Sequence, residues 1–177
     1  MAVMITFESH STTFDNEQNL ASGWYDDDLS PLGLARSAEL GNRRRDVGYD
    51  AVFCSDLQRS YKAAAIAFRD TNIPIFVDSR LRECNYGDYN KRDKQFVDGQ
   101  RLERIETPYP NGESYMMTRD RMADFLEFLK KNFDGKKVLI VGSRATHFGI
   151  QNYIEGTPYE ELVTAEFAWQ PGWKYEL

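Results

Sequence analysis

Four short apolar runs, each four or five residues long, are separated along the chain by longer polar or amphipathic segments. They are rich in residues that favour strands and lie at 3–7, 51–54, 73–77 and 138–141. Strands that alternate with helical segments favour parallel pairing, because parallel neighbours need a crossover connection. We therefore predict an α/β fold of three layers, α/β/α, with a mainly parallel central sheet. Residues 169–175 are a further candidate, for an edge strand.

Helix signals fill the gaps between these runs. Ser30 followed by Pro31 predicts a helix start, because serine caps backbone N–H groups and proline suits the first turn. Apolar residues at helical spacing predict a helix that ends near Phe133. The predicted helices cover 31–45, a segment from a cap at Ser55 or Asp56 to residue 67, 122–133 and 146–155. Residues 83–112 show no clear period and are predicted to form a long functional loop with a short helix.

Length and charge exclude several classes of protein. The 177 residues fit a single domain, 1–177. The 22 basic and 28 acidic residues give a net charge of −6, which argues against nucleic-acid binding but leaves room for a small phosphorylated ligand. No apolar stretch is long enough for a membrane span, and Cys54 and Cys84 have no metal-site spacing. We expect a cytoplasmic protein without metal or cofactor; its oligomeric state is not predicted.

Polar side chains follow each predicted strand, at the edge where ligands bind in parallel sheets. Arginine forks suit phosphate oxygens, histidine can act as a nucleophile, and a carboxylic acid can protonate a leaving group. This combination predicts phosphoryl transfer through a phosphohistidine. The candidate site residues are His10, Thr13, Asn16, Arg59, Arg82, Glu83, Ser143 and Arg144.

The order and spacing of these motifs resemble the histidine phosphatase superfamily, the phosphoglycerate-mutase-like group, over almost the whole chain. The resemblance implies that His10 is the nucleophile, that Arg59 and Asn16 hold the phosphoryl group, and that Glu83 is the general acid. It implies no metal. The matching elements are the strand leading to His10 with Thr13 and Asn16, then Leu29–Gly33, Cys54–Ser60, Leu81–Glu83 with Tyr86–Gly87, Asn111–Ser114 and Val138–Gly142.

Two positions depart from the family pattern. The family has arginine where this chain has Ser9, and a second histidine where it has Ser143. Both replacements remove a positive or ionisable group from the predicted phosphate pocket. We hypothesise that Arg144 turns toward the place left at Ser9. The only other histidine, His147, lies four residues beyond Ser143 and is expected at a helix surface or at the pocket rim.

The preferred function is hydrolysis of a small phosphomonoester through a phosphohistidine at His10. The short chain favours a phosphatase over a phosphoglycerate-type mutase, which remains an alternative. The serines at positions 9 and 143 motivate another: a weak or inactive family member that binds a phosphorylated ligand or a protein partner. Arg82 has a competing interpretation as the ion-pair partner of a structural carboxylate.

Overall fold

The computed structural model describes all 177 residues, and its centre is a five-stranded sheet. The strands of the chain are β1 Met4–Ser9, β2 Leu20–Ala21, β3 Ala51–Cys54, β4 Ile75–Val77, β5 Arg92–Asp93, β6 Lys137–Gly142 and β7 Trp173–Glu176. The strand order of the central sheet is β4-β3-β6-β1-β7; its first four strands are parallel, whereas β7 pairs antiparallel with β1 at one edge. The separate pair β2 and β5 forms a small antiparallel ribbon.

Helices cover both faces of the sheet, which confirms the predicted three-layer α/β/α architecture. Alternate residues of each strand face opposite layers, as the twofold period of a strand requires. Phe53 packs toward the helices at Tyr115–Asn132 and Arg144–Glu155, whereas Val52 and Cys54 pack toward those at Pro31–Arg44 and Gln58–Phe68. The helices are α1 Phe14–Glu17, α2 Pro31–Arg44, α3 Gln58–Phe68, α4 Lys94–Gly99, α5 Tyr115–Asn132, α6 Arg144–Glu155 and α7 Tyr159–Thr164.

The predicted start of α2 is confirmed, because the Ser30 hydroxyl accepts a hydrogen bond from the N–H of Gly33 at 3.1 Å. The predicted cap of α3 is wrong. The helix begins at Gln58, and its N–H donates to the Asp26 carboxylate at 2.7 Å. Ser55 instead shapes the preceding turn by accepting from the N–H of Leu57. A carboxylate from a distant loop thus replaces the local cap, which sequence spacing does not reveal.

The segment predicted as a long loop is more regular than expected. Residues 83–112 hold a short 3₁₀ turn at Gly87–Tyr89, the ribbon strand β5 and the helix α4. An apolar cluster of buried side chains, centred on Tyr86, Tyr109 and Tyr115, packs this segment against α6 and α7. Neither Cys54 nor Cys84 is disulfide-bonded, and both are buried. None of the seven α-helices combines the length and the apolar composition that a membrane span needs.

Candidate active site

A cavity of about 730 Å³ opens at the carboxyl ends of β1 and β6. These strands are neighbours and pair Ser9 with Gly142, which brings the two departures from the family pattern, at positions 9 and 143, to one wall. The cavity is locally positive although the chain carries a net charge of −6. Six cationic and three acidic side chains line it: Arg36, Arg43, Arg59, Lys94, Arg101 and Arg144, with Glu39, Glu83 and Asp98.

His10 follows β1 directly and lines the cavity. Its Nδ1 lies 2.7 Å from the carbonyl oxygen of Ser11. A carbonyl only accepts, so Nδ1 carries the proton and Nε2 presents its lone pair. Burial, reinforced by the charge of Arg59, lowers the pKa of His10 to about 4. At neutral pH the imidazole is therefore uncharged, which is the form that can attack an electrophile.

Arg59 lies in the first turn of α3 and is almost completely buried at the cavity wall. Its guanidinium donates to the carbonyl oxygens of Gly23 at 2.5 Å and Tyr25 at 3.0 Å. Gly23 has a φ of 55°, the left-handed region that favours glycine. A guanidinium has five N–H donors, so these two hydrogen bonds aim the group and leave donors for an anion.

Glu83 is held at the N-terminus of α6. Its Oε2 accepts from the N–H of Arg144 at 3.2 Å, and its Oε1 accepts from the N–H groups of Ala145 at 3.2 Å and Cys84 at 2.7 Å. Helix N-termini attract negative groups because their first N–H groups have no partner inside the helix. The segment that follows β4 and the helix that follows β6 therefore meet at this carboxylate.

The backbone of Glu83 is clamped by a residue that sequence reasoning missed. Arg121 of α5 pairs with both carboxylate oxygens of Glu113, each at 3.0 Å. Trp24 Nε1 donates to the Glu83 carbonyl oxygen at 2.7 Å. The Arg121 guanidinium also donates to three carbonyl oxygens, at 2.6, 2.8 and 2.9 Å: those of Arg80, Arg82 and Glu83. The Asn111–Ser114 motif, which contains Glu113, was the only sequence signal for this clamp.

Asn16 lines the cavity, whereas Thr13 does not. Thr13 is fully buried and caps α1. Its hydroxyl accepts from the Asn16 N–H at 3.1 Å, and the Asn16 Oδ1 accepts from the Thr13 N–H at 3.2 Å. This capping box occupies the amide oxygen of Asn16 and leaves its NH₂ group without a protein partner.

Arg82 lies outside the cavity lining. It makes two hydrogen bonds to the Asp56 carboxylate, at 2.7 and 2.5 Å, and its guanidinium lies 4.6 Å from the centre of the Trp24 ring. This arrangement matches the competing interpretation, in which Arg82 pairs with a structural carboxylate. The ion pair connects the turn after β3 to the segment that carries Glu83.

Ser143 and Arg144 both line the cavity. The buried Ser143 hydroxyl lies 3.0 Å from that of Thr146. The Arg144 guanidinium donates to the carbonyl oxygen of Ala165, and it lies 5.5 Å from the centre of the Phe167 ring. It makes no hydrogen bond with Ser9, so this geometry does not support the hypothesis that Arg144 fills the place left there.

His147 is absent from the cavity, and its expected location at a surface or rim is wrong. Its ring stacks on Phe7 with 4.6 Å between centroids, and its Nε2 lies 2.6 Å from the Tyr175 hydroxyl. Burial, with a smaller effect of the Arg144 charge, lowers the pKa of His147 to about 4. The reason is register: α6 begins at Arg144 rather than at 146, and residue 147 then faces the sheet.

Four cationic side chains of the cavity were not among the predicted site residues. Arg36 and Arg43 lie two turns apart on α2, a spacing that was visible in the sequence but had no motif around it. Lys94 and Arg101 come from the aperiodic segment and carried no signal. Arg101 is buried, pairs with Asp98 at 2.5 Å, and has a buried Nε without a hydrogen-bond partner.

The fold and cavity define a class: α/β proteins with a cation-lined cavity at the carboxyl edge of a parallel sheet, next to a neutral histidine. The family model of the histidine phosphatase superfamily (branch 1) matches residues 6–169. The chain belongs to the histidine phosphatase superfamily, which confirms the resemblance seen in its motifs.

Relatives in this family include mutases and phosphatases. The chain is 30% identical to a 2,3-bisphosphoglycerate-dependent phosphoglycerate mutase of Methylobacterium sp. (strain 4-46), over 94% of this chain and 87% of that protein. Its fold superimposes on Bacillus stearothermophilus YhfR with a TM-score of 0.83 and 23% identity, covering 96% and 88% of the two chains. The superposition on mycobacterial glucosyl-3-phosphoglycerate phosphatase has a TM-score of 0.79 and 20% sequence identity, and it covers 92% of this chain and 84% of that chain. The predicted phosphatase function therefore holds at the level of the family.

Proposed function

We propose that the protein is a phosphomonoesterase that transfers the phosphoryl group of a small phosphorylated metabolite to His10 and then to water. The observation that carries this proposal is the state of His10. Its Nδ1–H is committed to the Ser11 carbonyl, its pKa is lowered to about 4, and Nε2 is free within a positive cavity. A neutral, oriented imidazole beside a buried arginine is suited to nucleophilic attack on phosphorus.

In the first step the Nε2 lone pair forms a bond to phosphorus while the bond from phosphorus to the ester oxygen breaks. Arg59 stabilises the charge on the equatorial phosphoryl oxygens, and the free NH₂ group of Asn16 and the Ser143 hydroxyl donate to them. Glu83 gives a proton to the departing alkoxide. In the second step Glu83 accepts a proton from water, the water oxygen bonds to phosphorus, and the bond from phosphorus to Nε2 breaks. This step releases inorganic phosphate and returns His10 to its neutral form.

The remaining predicted site residues act without touching the phosphoryl group. Thr13 orients Asn16 through the capping box, and Arg82 fixes the segment before Glu83 through its ion pair with Asp56. Arg144 adds positive charge at the leaving-group end of the cavity. We also place the enzyme in the cytoplasm, since its two buried thiols are unpaired and a reducing compartment keeps thiols in that state.

Trapping the phosphoenzyme tests the proposal. Rapid acid-free quenching after mixing with a radiolabelled phosphomonoester is expected to give one covalent phosphate per chain that is stable in base and labile in acid. The His10→Ala variant is expected to lose both this label and turnover. Arg69→Ala, a surface change at the end of α3, is the matched control and keeps both. Undiminished turnover in His10→Ala contradicts the proposal.

A second candidate function is supported by Ser9 and Ser143, which stand where the family has charged or ionisable groups. Charged hydrogen bonds contribute about 1.5–3 kcal/mol against about 1 kcal/mol for neutral ones. Two such losses slow the reaction about 5- to 1,000-fold. At the upper end of this range the chain acts mainly as a binder of phosphorylated ligands. Calorimetric binding of a phosphomonoester without release of phosphate would favour this alternative.

The relatives named as phosphoglycerate mutases motivate a third candidate, in which the phosphoryl group returns to a second hydroxyl of the substrate. Product analysis separates it from hydrolysis. A phosphatase releases one inorganic phosphate for each ester consumed, whereas a mutase converts 3-phosphoglycerate to 2-phosphoglycerate with little free phosphate.

A further inference from the structure

The connection between α7 and β7, residues 165–172, forms a strap at the mouth of the cavity. Two of its aromatic side chains line the cavity and are still about half exposed: Phe167 at 49% and Trp169 at 58%. Large aromatic rings left this open beside a reaction site are typical of ligand-binding surfaces. The phosphoryl chemistry proposed above uses neither ring.

Arginines from two walls of the cavity hold the strap. Arg144 of α6 donates to the Ala165 carbonyl, and its guanidinium lies 5.5 Å from the Phe167 ring centre. On the opposite wall the Arg43 guanidinium lies 5.7 Å from the Trp169 ring centre. These contacts present both rings as fixed, flat surfaces, so little conformational entropy is lost when a ligand stacks on them.

The far end of the strap is fixed as well. Arg44 of α2 donates to the Pro171 carbonyl at 2.6 Å and to the buried Glu8 carboxylate at 2.6 Å. Glu8 belongs to β1, two residues before His10. The strap is therefore anchored to the strand that carries the proposed nucleophile, which sets the position of its rings relative to the reacting phosphate.

The size of the cavity indicates a large leaving group. A volume of about 730 Å³ falls within the range of pockets that enclose drug-sized ligands, about 300–1,000 Å³. A phosphate with a three-carbon alcohol fills only a small part of it. Arg59 and His10 take the phosphoryl end, and the space toward Phe167 and Trp169 remains for the alcohol.

We propose that Phe167 and Trp169 form a ring-binding subsite, and that the substrate is the phosphomonoester of an alcohol bearing a planar aromatic or heteroaromatic ring. The ring stacks on these side chains while the phosphate lies against His10. This inference rests on the proposed function for the position of the phosphate. The recognition itself is ordinary stacking on a flat, partly exposed aromatic surface.

Two matched pairs of primary phosphate esters test the subsite. Adenosine 5′-monophosphate and ribose 5-phosphate differ by a planar base, and 2-phenylethyl phosphate and butyl phosphate differ by a planar ring. We expect kcat/KM to be about tenfold higher for the ring-bearing member of each pair, the size of effect that two stacking contacts produce. The double variant Phe167→Leu/Trp169→Leu should reduce each ratio to near one and leave the ring-free esters within twofold. Phe76→Leu, an exposed ring on β4 outside the cavity, should keep the ratio.

Binding to the His10→Gln variant separates failure of the subsite from failure of the proposed chemistry. Calorimetry with the same four esters is expected to show about tenfold tighter binding of the ring-bearing members, and to lose that difference in the added double variant. A ring preference in binding without any turnover in the parent protein overturns the phosphatase proposal and supports the subsite. Equal affinities within each pair, a preference that survives the double variant, or no binding of either ring-bearing ester overturns the subsite.

Discussion

At the scale of single residues, hydrogen bonds decide which of the predicted groups can react. His10, Arg59 and Glu83 were found from motifs, and all three line one cavity. Arg144 and His147 were located less well, because their directions depend on the residue at which α6 begins. That start combines a local hydrogen bond, from the Ser143 N–H to the Thr146 hydroxyl at 3.2 Å, with contacts from Glu83 in another segment, and no local pattern encodes the contacts from Glu83. Arg101 and Arg121 were missed because an isolated arginine carries no sign of what it contacts.

Restoring an ionisable group at position 143 should raise activity. Ser143 lines the cavity, and its hydroxyl contacts Thr146. The Ser143→His change is expected to increase kcat/KM for a phosphomonoester by about tenfold, since the bound phosphate anion favours a protonated imidazole and a charged donor then replaces a neutral one. The Ser143→Ala change, which removes the neutral donor without replacing it, should lower kcat/KM by about fivefold. A Ser143→His protein of unchanged thermal stability and unchanged kcat/KM would contradict this account.

At the scale of helices and strands, periodicity predicted the layers well, and tertiary contacts decided the rest. The strand at 51–54 and the helix from Pro31 agree with the structure, because their signals are local: β-forming residues and a serine cap. The start of α3 depends on Asp26, which is 32 residues away from Gln58. Residues 83–112 owe their order to the tyrosine cluster that packs them on α6 and α7, and such long-range packing leaves no period in the sequence.

One prediction at this scale concerns α5 as the support of Glu83. Lysine in place of Arg121 cannot make the same set of planar contacts with three carbonyl groups and Glu113. We expect Arg121→Lys to lower kcat/KM about 10- to 100-fold for an alkyl phosphate, whose leaving group needs a proton from Glu83. For p-nitrophenyl phosphate, whose leaving group departs as an anion, the loss should be below about threefold.

The neighbouring Arg119→Lys change is the control, since Arg119 pairs only with Asp120 at the surface of α5. Arg119→Lys should leave kcat/KM unchanged for both substrates. Equal losses for both substrates in Arg121→Lys would assign Arg121 a purely structural role instead of the positioning of Glu83.

At the scale of the whole molecule, the net charge of the outer surface is opposite in sign to the charge of the cavity. The outer surface gives the chain its net charge of −6, and the cavity gathers cations. Both histidines have lowered pKa values: His10 lines the cavity, and His147 is buried between α6 and the edge strand β7. The antiparallel strand β7 closes the sheet beside β1, and the contact between His147 and Tyr175 joins it to the helix that holds Glu83.

This arrangement predicts how stability depends on pH. In the folded protein the pKa of His147 is about 4, whereas its ordinary value is 6.5. Between these values the unfolded chain binds a proton that the folded chain does not, so protons favour unfolding. The stability contribution is present above pH 6.5, falls as the pH is lowered, and is lost below about pH 4. A shift of this size corresponds to about 3 kcal/mol, and His10 adds a loss of the same sign.

Replacing His147 with glutamine should remove its share of this dependence, because an amide can still bond to the Tyr175 hydroxyl but does not titrate in this range. We expect the free energy of unfolding of His147→Gln, measured by urea denaturation at pH 7.5 and pH 4.5, to fall between these pH values by about 2 to 3 kcal/mol less than that of the parent. His10→Gln serves as the comparison, since it removes the cavity histidine and leaves the core histidine in place. A pH dependence identical to the parent's in His147→Gln would show that protonation of this core histidine does not oppose folding.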